Sequence, residues 1–300
     1  MGSIILSICI PTCNRADALE KCLKSIVESP VYKTGKIEIV VSDNASIDNT
    51  RDLVLSFQKK YSNILYNLNA ENIGGEANFI KVLDIAHGKF KKLHNDYSVF
   101  TSEGLNILYN IINDNVQEKK LLFFGNGTCE IDYKVCHNID EFLKTVSWSA
   151  SWIGCYGFWD SDWNNIEEKD RCASKLFEQV DWFLRVFETK KMCKIYNDVL
   201  TVRTKFQSKQ GGYNFIEVHL ENYVGMFSGY VRNSTISMLK RKMLLNIVGW
   251  YILLKKEKEQ NYSYETNGSL LIIFKNYWYY WWFYFDISKA IFRKFFKRYM

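Results

Sequence analysis

A chain of 300 residues is long enough for one large α/β domain, or for one domain with an appendage. At 47% hydrophobic and 24% charged, its composition is that of a globular protein and excludes wholesale disorder. The net charge of +6 is mild and spread along the chain except at the far end, which argues against a nucleic acid partner and for an anionic surface there.

The first half alternates strand and helix. Ile4–Ile10 is a short apolar run, the pattern of a strand buried on both faces. Its Cys9 reads as a small hydrophobe, and the eight cysteines contain no C-x-x-C pair. Met1–Ile10 also lacks the basic start and cleavage site of a secretory leader, so reduced thiols in a cytosolic protein are expected. Asp17–Val27 places Leu19, Cys22, Leu23 and Ile26 at helical spacing. Strands are expected at Ile37–Val41 and Ile64–Leu68, and helices at Thr50–Tyr61 and Glu76–Ala86, the last closed by Gly88 as a left-handed cap. Phe90–His94 reads as a fourth strand despite Lys91 and Lys92, Thr101–Asn113 as a helix, and Lys120–Phe124 as a further strand. This β-α-β-α-β-α-β order predicts a mostly parallel, doubly wound α/β sheet with helices on both faces. The second half is less regular: Ile139–Val146 and Leu176–Glu188 look helical, with aromatic strand-like sequence at Trp152–Trp159 between them.

Ligands of open parallel sheets bind beyond the carboxyl ends of the strands. The first strand ends in Pro11-Thr-Cys-Asn-Arg15 and the second in Ser42-Asp-Asn-Ala-Ser46, with Asp48 just beyond. The third leads into Asn69 and Asn72-Ile-Gly-Gly75, and the fourth into Asn95-Asp96. Each cluster alone is as well explained by turns and helix caps. All four on one sheet edge form a site rich in carboxylate and amide, suited to a base, a ribose and a metal-bound diphosphate. No G-x-G-x-x-G, no G-x-x-x-x-G-K-[ST] and no G-x-S-x-G occurs, which disfavours dehydrogenase, P-loop and α/β-hydrolase chemistry.

The run Ser7-Ile-Cys-Ile-Pro-Thr-Cys-Asn-Arg15 resembles the opening S-[IV]-x-[IV]-P-[TV]-[YC]-N-R of family 2 glycosyltransferases. Glu38-Ile-Val-Val-Ser-Asp-Asn-Ala-Ser-Ile-Asp-Asn-Thr50 resembles their second signature, and Asn72-Ile-Gly-Gly75 their third-strand loop. The resemblance covers roughly residues 3–100 and implies a GT-A-like fold. It is weaker beyond, where Gln179–Asp181 and Gly211-Gly-Tyr-Asn214 are similar to the acceptor half of bacterial surface-glycan members. It further implies that Pro11, Thr12, Asn14, Asn44, Asn72, Asn95 and Asp96 line the nucleotide-sugar site, that Asp43 hydrogen-bonds the base, and that Arg15 either approaches the phosphates or braces its loop. Asp43, taken as an exposed strand end, would carry little packing, and Asp48 would cap the next helix.

Two departures stand out. The family's D-x-D-like metal motif corresponds to His94-Asn95-Asp96-Tyr97, with one carboxylate, so Asp96 alone would hold Mg²⁺ or Mn²⁺ with phosphate oxygens and water completing the shell. A metal-independent site using Arg203, Lys205 or Lys209 is the rival. The family's acidic pair at a helix start corresponds to Glu178-Gln179-Val180-Asp181, which leaves Asp181 as the expected catalytic base and Glu178 as its competitor, or Asp181 as an ion-paired helix residue. Neither His94 nor His219 is compelling.

Residues 231–300 change character. Met243–Leu254 is apolar but too short to span a bilayer, and Tyr277-Trp-Tyr-Tyr-Trp-Trp-Phe-Tyr-Phe285 is followed by Lys289, Arg293, Lys294, Lys297 and Arg298. Tyr and Trp favour the headgroup region and Lys and Arg favour anionic lipid, so Leu270–Ile287 is expected to lie in a membrane interface rather than to span it or serve as an ordinary aromatic core or dimer contact. The expected organisation is a GT-A domain over 1–230 (nucleotide half 1–100, acceptor half 101–230) and a membrane-associating region over 231–300. The implied activity is an inverting transfer of a sugar from a nucleoside-diphosphate donor to a hydroxyl of an oligosaccharide or lipid-linked glycan, in O-antigen, capsule or lipooligosaccharide synthesis. The enzyme would be cytoplasmic and peripheral on the inner face of the plasma membrane. The rivals are a catalytically degraded GT-A domain acting as a binding or scaffolding subunit, and a nucleotidyltransferase, whose Gly- and Arg-rich loop Pro11–Arg15 lacks.

Overall fold

The computed structural model describes residues 3–204, 210–256, 262–265 and 268–296. They fall into two compact units: Met1–Asn138 with Ser149–Ser174 and Glu178–Gln207, and Ile139–Trp148 with Lys175–Phe177 and Ser208–Met300. The division near residue 208 precedes the expected boundary at 230. It also takes Ile139–Trp148 out of the first unit, because that helix packs on C-terminal elements.

The first unit opens with β1 (Leu6–Thr12), α1 (Ala16–Val27), β2 (Ile37–Asp43), α2 (Thr50–Gln58), β3 (Ile64–Leu68), α3 (Gly75–Asp84) and β4 (Phe90–Leu93). A short β5 (Ser98–Phe100), α4 (Gly104–Asn115), β6 (Leu121–Phe124) and β7 (Tyr133–Cys136) come next. After α5 (Ile139–Val146) of the second unit come β8 (Gly157–Trp159), α6 (Asp160–Asn164), α7 (Glu178–Lys190), β9 (Cys193–Tyr196) and β10 (Thr201–Arg203). The main sheet has the order β3-β2-β1-β4-β8, parallel through β4 and antiparallel at β8. Side chains of a strand alternate between faces. Ile8 and Ile10 of β1 with Ile39 and Val41 of β2 share one core cluster with α1, α2 and α4. On the opposite face α3 buries Val82 and Leu83, and its Asn78 accepts from Ser42 Oγ at 2.7 Å.

Several sequence expectations shift for identifiable reasons. Leu121–Phe124 does not extend the main sheet; it pairs in parallel with β9 in a second sheet ordered β6-β9-β7. The α4 helix begins at Gly104 rather than Thr101, whose N–H is taken by Leu200 O at 3.0 Å. Only Gly157–Trp159 of the aromatic segment is strand, with a 3₁₀ turn at Ile153–Cys155 before it. Leu176, with φ of +63°, cannot open a helix, so α7 starts at Glu178. Gly88 is not a left-handed cap: a Cβ there would lie 2.4 Å from Ser7 Oγ, so glycine permits the close approach of two backbones. The two lysines of β4 are buried because each has partners. Lys91 pairs with Asp160 at 2.9 Å, and Lys92 donates to the carbonyls of Leu93 and Gly154 while burial pushes its pKa down to about 8.

The second unit holds α5, β11 (Gln210–Asn214), a helical stretch of α8 (Phe215–Glu217), a wider π-helical turn (Val218–Tyr223) and α9 (Val224–Met226). It continues with α10 (Asn233–Lys256), β12 (Tyr262–Glu265), α11 (Ser269–Tyr277) and α12 (Trp281–Phe296). β11 and β12 pair in parallel. α10 is the spine: it packs on α5 and α12, Tyr277 donates to Lys240 O at 2.9 Å, and Arg241 pairs with Asp286 at 2.6 Å. The expected continuous segment Leu270–Ile287 is broken at Trp278–Tyr280 into two helices, and among the described residues no helix is long and apolar enough to cross a membrane.

Candidate active site

The carboxyl ends of β1, β2 and β4 converge. Thr12, the last residue of β1, donates to Asp96 Oδ2 at 2.8 Å, and the Arg15 guanidinium meets Asp96 Oδ1 at 3.1 Å. Burial pushes the Asp96 carboxyl above its usual range, and the Arg15 charge and the Thr12 hydroxyl pull against it. Arg15 and Arg203 both lie over the Tyr97 ring, at 5.7 and 5.1 Å. One guanidinium group, that of Arg15, thus meets the single carboxylate of the metal-like motif, and a second, that of Arg203, lies on the neighbouring Tyr97 ring. Lys205 and Lys209 lie outside the described residues.

Asp43 is fully buried, which corrects the expectation of an exposed strand end. It accepts from Ser46 N at 2.9 Å and from Tyr66 OH at 2.7 Å. The two loops beyond β1 and β2 are laced together. Asn14, at φ +53°, accepts from Ile47 N at 2.8 Å, its own N–H goes to Ser46 Oγ at 2.8 Å, and Asp48 accepts from both Ala16 N and Thr50 N at 3.0 Å. Asp48 therefore caps the starts of α1 and α2; burial works to raise its pKa, but the Thr50 hydroxyl, at 2.5 Å, and the two N–H bonds outweigh it and lower it.

Asn44 ties the third-strand loop to the site. Its Nδ2 donates to Asn72 Oδ1 at 2.8 Å and to Gly74 O at 3.0 Å, and its Oδ1 accepts from Ile73 N at 2.9 Å. Asn69 and Asn78 continue the network down to Ser42. Pro11 pairs across from Ser42 near the ends of β1 and β2. Asn95 borders a small internal cavity with Lys92, His94, Ser98 and Trp152, and its Nδ2 is buried without a hydrogen-bond partner. His94 is structural: it stacks on Phe100 with ring centroids 4.7 Å apart, and burial pushes its pKa down to about 3.

The acidic helix start resolves into two different environments. Asp181 is held between guanidinium groups: Arg171 reaches it with Nε at 3.1 Å and Nη2 at 2.5 Å, and Arg185 Nη2 lies at 2.7 Å. Asp181 is thus an ion-paired residue of its helix, the arrangement weighed against a free base. Glu178 is its opposite, fully buried and with neither carboxylate oxygen hydrogen-bonded to another residue. Burial first, then the charges of Glu76 and Asp181, push its pKa up to about 8. Since Glu76 sits in the first turn of α3, directly after the third-strand loop, Glu178 is within electrostatic reach of the strand-end edge.

Sequence reasoning missed Tyr66, Tyr97, Arg171 and Arg185. Tyr66 sits in a strand at a position where an aromatic is unremarkable, and Arg171 lies ten residues before its partner with no periodicity to announce it. As for a cation, no cluster of three or more His, Cys, Asp or Glu suited to a metal exists among the described residues. Asp96 still fits one of the kind that brings most of its own shell, since Mg²⁺ is commonly held by one or two carboxylates plus phosphate oxygens and water.

Residues 7–116 match the family model described as glycosyl transferase family 2. The chain is 33% identical over 106 residues to the abequosyltransferase RfbV of Salmonella typhimurium, covering 35% of this chain and 32% of that protein. It is 36% identical over 126 residues to the GalNAc(5)-diNAcBac-PP-undecaprenol beta-1,3-glucosyltransferase of Campylobacter jejuni, covering 42% of this chain and 38% of that protein. These matched segments span about a third of each relative's length. In fold, the chain superposes on S. aureus TarS 1–349 in complex with UDP-GlcNAc with a TM-score of 0.56 at 15% identity, over 79% of this chain and 70% of that one.

Proposed function

Residues 7–116 are a family 2 glycosyltransferase domain on a GT-A fold, and from that premise we propose that the protein is an inverting glycosyltransferase of bacterial surface-glycan synthesis. The observation that carries the reading is the convergence of Thr12, Arg15, Asp43 and Asp96 on one edge of a parallel sheet, with a buried, unpaired Glu178 in reach of the same edge. Asp43 and the Pro11–Thr12 strand end receive the nucleotide, and Asn44 holds the loop that carries Asn72 against it. Arg15, with Arg203 across Tyr97, meets the negative charge of the departing diphosphate, since charge that develops in the transition state must be stabilised. Asp96 would hold Mg²⁺ or Mn²⁺, which when bound would neutralise the diphosphate further.

Glu178 is the general base. As a carboxylate it takes the proton of the acceptor hydroxyl while that oxygen bonds to the anomeric carbon, and the bond from that carbon to the diphosphate breaks on the opposite face. The acceptor is a glycan carried on a lipid, and the protein works peripherally at the inner face of the plasma membrane; the undecaprenol-linked substrate named for the Campylobacter relative supports this. The pairing of Asp96 with Arg15 favours one rival, a domain that binds nucleotide without turning it over. A hydrolysis screen across UDP-, GDP-, CDP- and dTDP-sugars with Mn²⁺ present separates them. Turnover of one donor supports the transferase, and binding without any turnover selects the rival.

A further inference from the structure

We propose that the outward face of α11 and α12 is a docking surface for an anionic lipid bilayer, with Leu270, Leu271, Phe274, Trp278, Trp281 and Phe285 seated at headgroup level. This deepens the membrane placement proposed above and rests on it.

The fold sorts the large side chains of this aromatic stretch onto two sides. Ile273, Tyr277, Trp282 and Phe283 turn inward and are buried, and Tyr277 stacks on Phe283 with centroids 5.7 Å apart. On the opposite side Leu270, Leu271 and Trp281 are 66%, 72% and 76% exposed, and Phe274, Trp278, Tyr279, Tyr284 and Phe285 are each more than half exposed. A helix pair normally puts its apolar stripe inward and its polar side outward. Here eight large apolar or aromatic side chains face outward beside Lys275 and Lys289, and an exposed apolar surface of this kind marks an interaction site.

The charges select the partner. Residues 269–300 contain one acid, Asp286, against six basic residues, Lys275, Lys289, Arg293, Lys294, Lys297 and Arg298. Asp286 is already neutralised by Arg241, at 2.6 Å. Lys275, its side chain 74% exposed, lies 3.6 Å from Glu221 Oε1, a pair open to solvent, and Lys289 lies 5.9 Å from the Phe285 ring. Tyr and Trp amid Lys is the composition of the water–lipid boundary, where a ring lies among acyl chains and its polar tip reaches headgroups. Among the described residues no helix is both long and apolar enough to cross, and the proposed seat of this face is the boundary plane.

The full-length chain is tested by co-sedimentation with vesicles of phosphatidylglycerol and phosphatidylethanolamine, and with pure phosphatidylcholine. Binding to the first should exceed binding to the second by about tenfold or more and weaken with salt. The double variant Leu271→Ser, Trp281→Ser touches only exposed side chains, so it should keep its melting temperature and lose most vesicle binding. Brominated acyl chains should quench part of the tryptophan emission of the unmodified chain, a reading that does not depend on any variant folding. Absence of vesicle binding, equal binding to both vesicle types, or no quenching overturns the proposal. So does a variant that binds vesicles normally while a dimer of the parent chain dissociates, which would make a second copy the occupant. Donor hydrolysis is assayed in parallel without vesicles; its failure would remove the transferase reading and leave the vesicle result standing.

Discussion

Arg15 Nη1 lies 3.1 Å from Asp96 Oδ1, a contact that joins the loop after the first strand to the end of the fourth across 81 residues of sequence. The one carboxylate of the metal-like motif is therefore kept compensated by a cation of the chain itself. In the proposed reading, a bound donor would offer Arg15 a diphosphate and leave an Asp96 oxygen able to hold a cation. Asp96→Asn should abolish metal-stimulated turnover and reduce cation-dependent nucleotide affinity by at least about 10–100-fold, the scale on which metal sites respond to altered ligation. Titration calorimetry with Mn²⁺ present and absent checks it. Full wild-type turnover in EDTA would show instead that the arginines suffice.

Asp43→Ala is expected to do two things at once. It removes the acceptor for Ser46 N–H and Tyr66 OH, both in partly buried positions, and unpaired buried donors cost about 1–3 kcal/mol each at most. It also removes the proposed contact to the base. Asp43→Asn keeps an acceptor oxygen and should recover most of the stability while nucleotide affinity stays low. Urea denaturation beside calorimetry distinguishes the two losses, and normal nucleotide affinity in a folded Asp43→Asn variant would end the assignment.

The parallel sheet was legible in the sequence because strands buried on both faces are continuous apolar runs, as at Ile37–Val41, and because the connecting helices keep a 3.6 period. Its polar edge was legible too, since topology alone puts Thr12, Asp43 and Asp96 at strand ends. The partners of those residues were not legible. Nothing in periodicity says that Tyr66 reaches Asp43 or that Arg171 closes on Asp181, because such contacts are fixed by tertiary packing, whereas Arg185 lies one turn on from Asp181 in α7 and was open to helical spacing. Lys91 and Lys92 make the same point within β4, where a buried partner set overrides the poor strand propensity of lysine.

Gly88→Ala tests the fold away from the site. The added methyl would meet Ser7 Oγ at 2.4 Å and Ser7 N at 2.7 Å, where backbone cannot yield as a flexible side chain would. Overpacking of this kind costs about 1–3 kcal/mol. The contact lies near the amino end of β1, opposite the polar edge, so the melting midpoint should fall while nucleotide affinity is retained.

Asp181→Asn should act on stability more than on chemistry. Its carboxylate joins Arg171 and Arg185, and hydrogen bonds to charged groups contribute about 1.5–3 kcal/mol, toward the lower end here because the Arg171 side chain is 41% exposed. Turnover per folded molecule should stay within a few-fold of the parent. A loss of a hundredfold or more in a variant with an unchanged melting midpoint would return the base to Asp181.

Glu178 is the sharpest case, because its pKa ties stability and rate to the same group. Burial and the nearby charges of Glu76 and Asp181 raise it from an ordinary 4.5 to about 8, so the folded protein keeps it neutral where the unfolded chain ionises it. The folded state then binds the extra proton, and its contribution to stability is complete below about pH 4.5 and is lost as the pH rises toward 8. Catalysis needs the opposite form, since a base must be deprotonated, so kcat/KM should climb with pH along a limb that levels near 8 in the free enzyme. Glu178→Gln has no proton to exchange. It should remove that limb, flatten the stability profile between pH 5 and 8, and lower turnover by about 10²–10⁴-fold with donor affinity near normal. Urea midpoints measured across this range, set beside single-turnover rates, separate the two consequences. A Gln variant with most of its activity intact would take the base away from Glu178, whatever its stability profile showed.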